Sequence, residues 1–351
     1  MWLPLFAFFN KTFLFIYNKY KVKKSILKLI AKLIIVILPV VILFVMLIQV
    51  FPMHYFDKEY AWYKENKEFS LKQNNNINVL IMGDSTAKTD YLPKLLSEET
   101  YNYALGGASI TEEYFYLKDY LENSKAPKYI IYTTYPTRFM FFDTLWTRSV
   151  YFHRIAREDL ESIIEKAKEL NCLSYVGDEE KLNNYYLYYY WSPTKYSSAI
   201  MNGLISPKRY KDNVKKYNLV IENKGQTLFE NKDYCNEVNT IANITSFEVP
   251  PILDYYFKEF IKLCNDNNIK LIIEQPPLNE ATYNAMNTKF VEEYKDYLNS
   301  IKKEYPNVTI DTEFIYFGGE CFGDSAHLNE KGVVVFDKYI KEKYSEVFGK
   351  W

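Results

Sequence analysis

Two short stretches, far apart in the chain, carry residue types that together can do nucleophilic chemistry. The first is Gly83-Asp84-Ser85, which ends the apolar run Val79-Leu80-Ile81-Met82. The second is Asp324-Ser325-Ala326-His327, just before a final helical segment. A serine hydroxyl is a weak nucleophile until a base takes its proton. The base in turn needs a carboxylate to hold its tautomer and favour its charged form. The chain has only three histidines. His54 follows a long apolar segment and His153 lies in a Tyr/Arg-rich region. Only His327 has an acid, Asp324, in a turn-like context just before it. This spacing lets Asp324 reach the Nδ1 side of His327 while Nε2 faces Ser85. Each motif alone also has a plain reading as a helix cap. Together they point to acyl transfer through a Ser-His-Asp relay.

Such a relay needs elements to position it. The run before Ser85 reads as a buried strand, and Thr86 to Leu96 as helix-compatible, which places Ser85 at the carboxyl end of the strand. Chemistry is placed at that edge of open α/β sheets. A second strand is expected over 101–105, followed by the loop Gly106-Gly107-Ala108-Ser109 and a helix bearing Tyr114, Phe115, Leu117, Tyr120 and Leu121. Paired glycines let the backbone approach a ligand closely, so the Gly107 amide is a candidate oxyanion donor beside the Ser85 amide, with turn formation as the alternative role. A third strand, 128–134, ends in Thr133-Thr134-Tyr135-Pro136-Thr137-Arg138. Helices are expected at 253–265, 290–303 and 330–347, with strands at 269–274 and 308–311. Strands alternating with helices predict an α/β fold with a doubly wound, mostly parallel sheet.

Gly83-Asp84-Ser85, Gly106-Gly107 and Asp324-x-x-His327 resemble the motifs of the SGNH (GDSL-type) hydrolase and acyltransferase superfamily, over roughly residues 76–348. With one amino-terminal anchor, the chain is similar to the membrane-tethered branch that includes the alginate O-acetylation and teichoic acid D-alanylation proteins. The resemblance implies a flavodoxin-like fold and a catalytic Ser85, His327 and Asp324. The family's usual pattern supplies an asparagine after the third strand as a further oxyanion donor. This chain departs from it there, so Thr134, Tyr135 and Arg138 are the candidates to replace it: Thr134 for the oxyanion, Tyr135 and Arg138 for substrate. The implied partners are a cell-envelope glycopolymer or carbohydrate substrate and a multi-pass membrane O-acyltransferase that supplies the acyl group.

The amino-terminal segment, 1–28, reads as cytoplasmic or interfacial, with an apolar stretch broken by Pro4, Asn10 and Lys11 and then Lys19, Lys21, Lys23, Lys24 and Lys28. Leu29 to Phe51 runs 23 residues with one charge, Lys32, and one proline, Pro39, and is long enough to cross a bilayer. Lysines crowd its amino-terminal side, which by the positive-inside rule puts the amino terminus in the cytoplasm and the rest outside. Gln49-Val50-Phe51-Pro52-Met53 offers no small-residue cleavage site, so a retained single-pass anchor is expected. Residues 52–76, rich in Lys, Glu, Tyr and Asn, read as a tether. The catalytic domain then spans 77–351, with a helical and aromatic insertion at about 139–250 that includes a helix over 154–170 and the run Tyr185-Tyr186-Leu187-Tyr188-Tyr189-Tyr190-Trp191.

Among the 351 residues, 34 are Tyr and 24 Phe against 11 Gly, which favours broad half-buried aromatic surfaces over disorder. A formal net charge of −1 gives no electrostatic footprint for nucleic acid. The four cysteines, Cys172, Cys235, Cys264 and Cys321, all fall on the outer side, where disulfides are permitted, but no pairing follows from sequence. None has zinc-site spacing, so neither metal nor other cofactor is expected. The reading is a membrane-anchored serine esterase or O-acyltransferase. A non-catalytic scaffold of the same fold, and a plain extracellular carbohydrate or lipid esterase, are the alternatives.

Overall fold

The computed structural model describes residues 24–349 apart from 75, 207, 230 and 231. The apolar stretch over 1–17 and Lys19, Lys21 and Lys23 lie outside the described residues.

Strands β1 (Val79–Gly83), β2 (Thr100–Asn102), β3 (Tyr129–Thr133), β4 (Lys270–Glu274) and β6 (Thr309–Ile310) form a five-stranded parallel sheet in the order β2-β1-β3-β4-β6. Strands β5 (Leu278–Asn279) and β7 (Tyr316–Phe317) make a separate parallel pair that their length hides in the sequence. The central strands are continuous apolar runs because both faces are covered, as parallel sheets require. Alternation sends Leu80, Met82, Ile130, Tyr132, Leu271 and Ile273 into one core. Val79, Ile81, Ile131 and Ile272 enter the other. Helices Ile110–Asn123, Pro251–Asp266 and Thr288–Glu304 bury Phe115, Tyr116, Phe257, Phe260, Phe290 and Leu298 in the first. Helix Glu330–Lys343 closes the second with Val333, Phe336 and Ile340. Gly83 pairs with Thr133, and Thr133 with Glu274, so the three central strands end level.

Helix Lys24–Val50 extends the expected apolar segment by about a turn at its amino-terminal end and runs through Pro39. It is long and apolar enough to cross a membrane, with Ile35, Val36 and Ile37 exposed along it. All four cysteines are free and buried. The region between 139 and 250 holds helices Arg157–Glu169, Pro193–Ile205 and Lys208–Glu222. Tyr185–Tyr190 is itself helical, with Tyr185, Tyr189 and Trp191 packed on the main core.

The tether expected at 52–76 is corrected over 60–70. Tyr60–Ser70 is a helix that buries Trp62, Tyr63, Asn66 and Phe69 on the domain. The Phe69 ring stacks on Tyr101 with centroids 3.4 Å apart. The Asn66 amide donates to the Tyr103 carbonyl at 2.6 Å and accepts from Arg154 Nε at 2.6 Å. Its polar composition suggested a solvated linker, but the buried polar groups have partners inside. If this helix is part of the folded unit, Phe69→Ala should destabilise the protein by about 3–5 kcal/mol, the usual cost of truncating a buried aromatic. Urea unfolding of the detergent-solubilised chain reads this directly, and an unshifted midpoint would mean that residues 60–70 are dispensable to the fold.

Candidate active site

Strand β1 must turn sharply at its end, and Gly83 permits it. Its φ is +132°, and a Cβ there would sit 1.8 Å from the Thr133 carbonyl oxygen, so only glycine fits beside β3. Asp84 then caps helix Ser85–Asp90, its Oδ1 accepting from the Thr86 amide at 2.9 Å and the Thr86 hydroxyl at 2.7 Å. Between Val79 and Tyr91, Ser85 alone is not buried.

The carboxyl-terminal loop meets it there. Asp324 Oδ1 accepts from the amides of Ala326 at 2.7 Å and His327 at 2.8 Å, an Asx-type turn that folds the carboxylate back onto the imidazole. His327 Nδ1 lies 2.9 Å from Asp324 Oδ2, and His327 Nε2 lies 2.8 Å from Ser85 Oγ. A carboxylate only accepts, so Nδ1 carries the proton and Nε2 is left to accept from the serine hydroxyl. Burial alone would raise the Asp324 carboxyl. The hydrogen bond and charge of His327, with the two amides, instead hold it below its ordinary value.

The loop is pinned on every side. The Tyr135 phenol donates to the Ala326 carbonyl at 3.5 Å, the Leu328 amide donates to Asp90 Oδ1 at 3.1 Å, and Asn329 caps helix Glu330–Lys343 by accepting from Gly332 N at 3.0 Å. Phe229 stacks on the His327 ring, centroids 4.8 Å apart, and meets Trp62 edge-on at 4.8 Å. Asp90 is fully buried. Burial first, and then the charges of Asp84, Asp324 and Asp337, push its carboxyl well above the ordinary range against the pull of the Leu328 amide.

The glycine loop lies against the serine: a Cβ on Gly106 would be 3.7 Å from that of Ser85. The Gly106 carbonyl accepts from the Tyr63 phenol and from Arg148, each at 3.2 Å, and the Gly107 carbonyl from Thr144 at 2.9 Å. In a trans peptide the N–H points opposite to the C=O, so anchoring the Gly106 carbonyl turns the Gly107 N–H the other way. Gly107 has φ of +77°, and a Cβ there would meet the Thr144 methyl at 2.3 Å.

The remaining sequence candidates face inward. Arg138 Nε pairs with Asp84 Oδ2 at 3.1 Å and its Nη1 with Asp143 at 2.8 Å. Because Asp84 is wholly buried, this pair neutralises a charge that would otherwise be stranded in the turn that carries Ser85. Tyr135 is buried, and its amide donates to Asp84 Oδ2 at 3.4 Å. Thr134 is buried too, its hydroxyl beside the Tyr132 phenol. The structure thus brings Ser85, Asp324 and His327 together, sets Gly107 in the adjoining loop, and uses Tyr135 and Arg138 as internal supports. Sequence reasoning missed Tyr63, Thr144, Arg148 and Phe229, which act through contacts no local pattern reveals. Asp90 carried no signal beyond its type. Among the described residues no group of three or more His, Cys, Asp or Glu is placed to hold a metal ion.

No protein-family model matches the chain, and no curated protein matches it.

One group on the serine helix has a measurable consequence. Lys88 is fully buried with Nζ unpartnered, and burial lowers it to about 8, opposed by the charges of Glu65 and Glu113. Below that pH both folded and unfolded chains hold the proton, so the folded state carries the whole penalty. From about 8 to the ordinary 10.5 only the unfolded chain holds it, so stability from this group rises with pH. The unfolding free energy of the wild type, relative to Lys88→Met, should therefore climb between about pH 8 and pH 10 in urea titrations. A difference that stays flat over that window would contradict the burial of a titrating ammonium.

Proposed function

We propose that the chain is a membrane-anchored serine acyl-transfer enzyme of the SGNH (GDSL) type. The observation that carries this reading is the joining of Ser85, His327 and Asp324 by bonds of 2.8 and 2.9 Å, with the serine and imidazole 242 residues apart in sequence. Chain segments so distant meet in hydrogen-bond order only if the fold positions them. The strand order also fits a doubly wound, flavodoxin-like sheet. In that order the chain reverses direction beside β1, and ligands bind in the crevice at such a switch point, outside the carboxyl ends of the strands.

In the proposed mechanism His327 Nε2 takes the Ser85 proton as Oγ attacks an acyl carbonyl, and Asp324 stabilises the imidazolium. The backbone amides of Ser85 and Gly107 receive the oxyanion. His327 then returns the proton to the leaving oxygen, giving an acyl-serine and a free alcohol. The acyl group passes next to water, or to a sugar hydroxyl deprotonated by the same imidazole. With Tyr135 and Arg138 committed inside, and Thr134 buried, the two amides carry the charge without the side chain the SGNH pattern would add.

The apolar helix supports a single-pass anchor, and the lysines preceding it favour a cytoplasmic amino terminus with the domain outside. Held at an envelope surface, the domain would act on a glycopolymer, with a multi-pass acyltransferase as donor, a point that rests on analogy.

The detergent-solubilised full chain, given an activated acetyl ester, should show a burst of acyl-enzyme. Ser85→Ala should lose the burst and reduce turnover by about 10³-fold or more. Equal background turnover in both proteins would instead leave a non-catalytic scaffold. Added polyol acceptor distinguishes transfer from hydrolysis, since only a transferase forms acylated polyol in preference to free acid.

A further inference from the structure

Helix Pro193–Ile205 presents two unlike faces. Ala199 is buried, and Gly203 packs so closely on the chain after the apolar helix that a Cβ there would lie 2.3 Å from the Tyr55 ring and 3.1 Å from the His54 carbonyl. The helix also contacts the apolar helix Lys24–Val50 itself. On the other side Met201, Leu204 and Ile205, which fall together at helical spacing, are 55%, 63% and 71% exposed. Large apolar side chains so exposed on adjacent turns mark a contact surface.

The surroundings say what covers it. Phe51 is exposed at the end of the apolar helix and meets His54 edge-on, and His54 stacks on Tyr210 with ring centroids 4.2 Å apart. This puts a rim of aromatic and imidazole rings where a membrane span ends, the level at which aromatic belts sit. The next helix, Lys208–Glu222, carries Lys208, Arg209, Lys211, Lys215 and Lys216 against Asp212 and Glu222. Lys208, Lys211 and Lys215 are all exposed and spaced for one face. Apolar residues next to a span end, aromatic rings beside them and a basic stripe beyond are the chemistry of an interfacial helix on anionic lipid.

We propose that helix Pro193–Ile205 lies in the bilayer interface at the end of the apolar helix, with Met201, Leu204 and Ile205 in the acyl boundary and the basic stripe of the next helix against anionic headgroups. The inference rests on reading Lys24–Val50 as a membrane span. It makes the domain sit on the membrane by a second contact, so that its orientation is set and not merely its distance.

The test uses the full chain in vesicles of phosphatidylcholine with a minority of phosphatidylglycerol. A polarity-sensitive fluorophore is placed on Leu204→Cys, on Met201→Cys in case the first variant misfolds, and on Tyr283→Cys as an exposed position away from this surface; the native cysteines are buried. A nitroxide carried high on the lipid chain should quench the label at Leu204 or Met201 several-fold more than the label at Tyr283, and aqueous iodide should do the reverse. Equal lipid quenching at all positions, or a label shielded from both quenchers by a second copy of the chain, would overturn the assignment. A label on Leu43→Cys in the apolar helix separates the two ways to fail. If it meets lipid while Leu204 does not, only this inference falls; if it does not, the membrane span falls with it.

Discussion

A single imidazole held between a carboxylate and a hydroxyl sets the terms for the rest of this protein. His327 has one ring nitrogen on Asp324 and the other on Ser85. For that to happen, the turn after the first strand and the loop before helix Glu330–Lys343 must reach the same rim of the sheet. A parallel sheet makes this natural, because all its strands end on one side and every connection sets out from there. The level ends of β1, β3 and β4 are the local expression of that rule.

Much of the interior chemistry serves the same end. Asp84 caps the serine helix and is neutralised by Arg138, Asp90 ties down the residue after His327, and Tyr135 bridges from the end of β3 to the histidine loop. Each is a buried polar group whose partner is also a structural element, so the network fixes relative positions and does more than satisfy hydrogen bonds. The glycine loop is treated alike. Its carbonyls are drawn inward by Tyr63, Arg148 and Thr144, and the direction of one amide follows from that. Through Tyr63 the helix Tyr60–Ser70 bears on the loop beside Ser85, so a segment that reads as a linker in the sequence helps to fix that loop.

The strands and their order of helices were legible because buried parallel strands read as unbroken apolar runs: Val79–Gly83, Tyr129–Thr133 and Lys270–Glu274 each fall where such a run occurs. Ser85, Asp324 and His327 were legible by type and by their place at strand and helix ends. Helix Tyr60–Ser70 was not, since its buried face includes Glu65 and Asn66, whose partners Tyr101, Tyr103 and Arg154 are remote in sequence. The inward roles of Arg138 and Tyr135 were hidden for a similar reason: a polar residue at a strand end looks the same whether it meets substrate or a buried aspartate. Phe229 sits in a stretch without periodicity, and only the fold reveals that it stacks on His327.

The relay is tested most directly by a fluorophosphonate, which bonds far faster to a serine whose proton is taken by a neighbouring base than to an ordinary hydroxyl. The account predicts that mass spectrometry of the digested chain finds one phosphonyl adduct, on the peptide holding Ser85, and that His327→Ala abolishes it while leaving the fold intact. Adducts scattered over other serines, or equal labelling with and without His327, would contradict it.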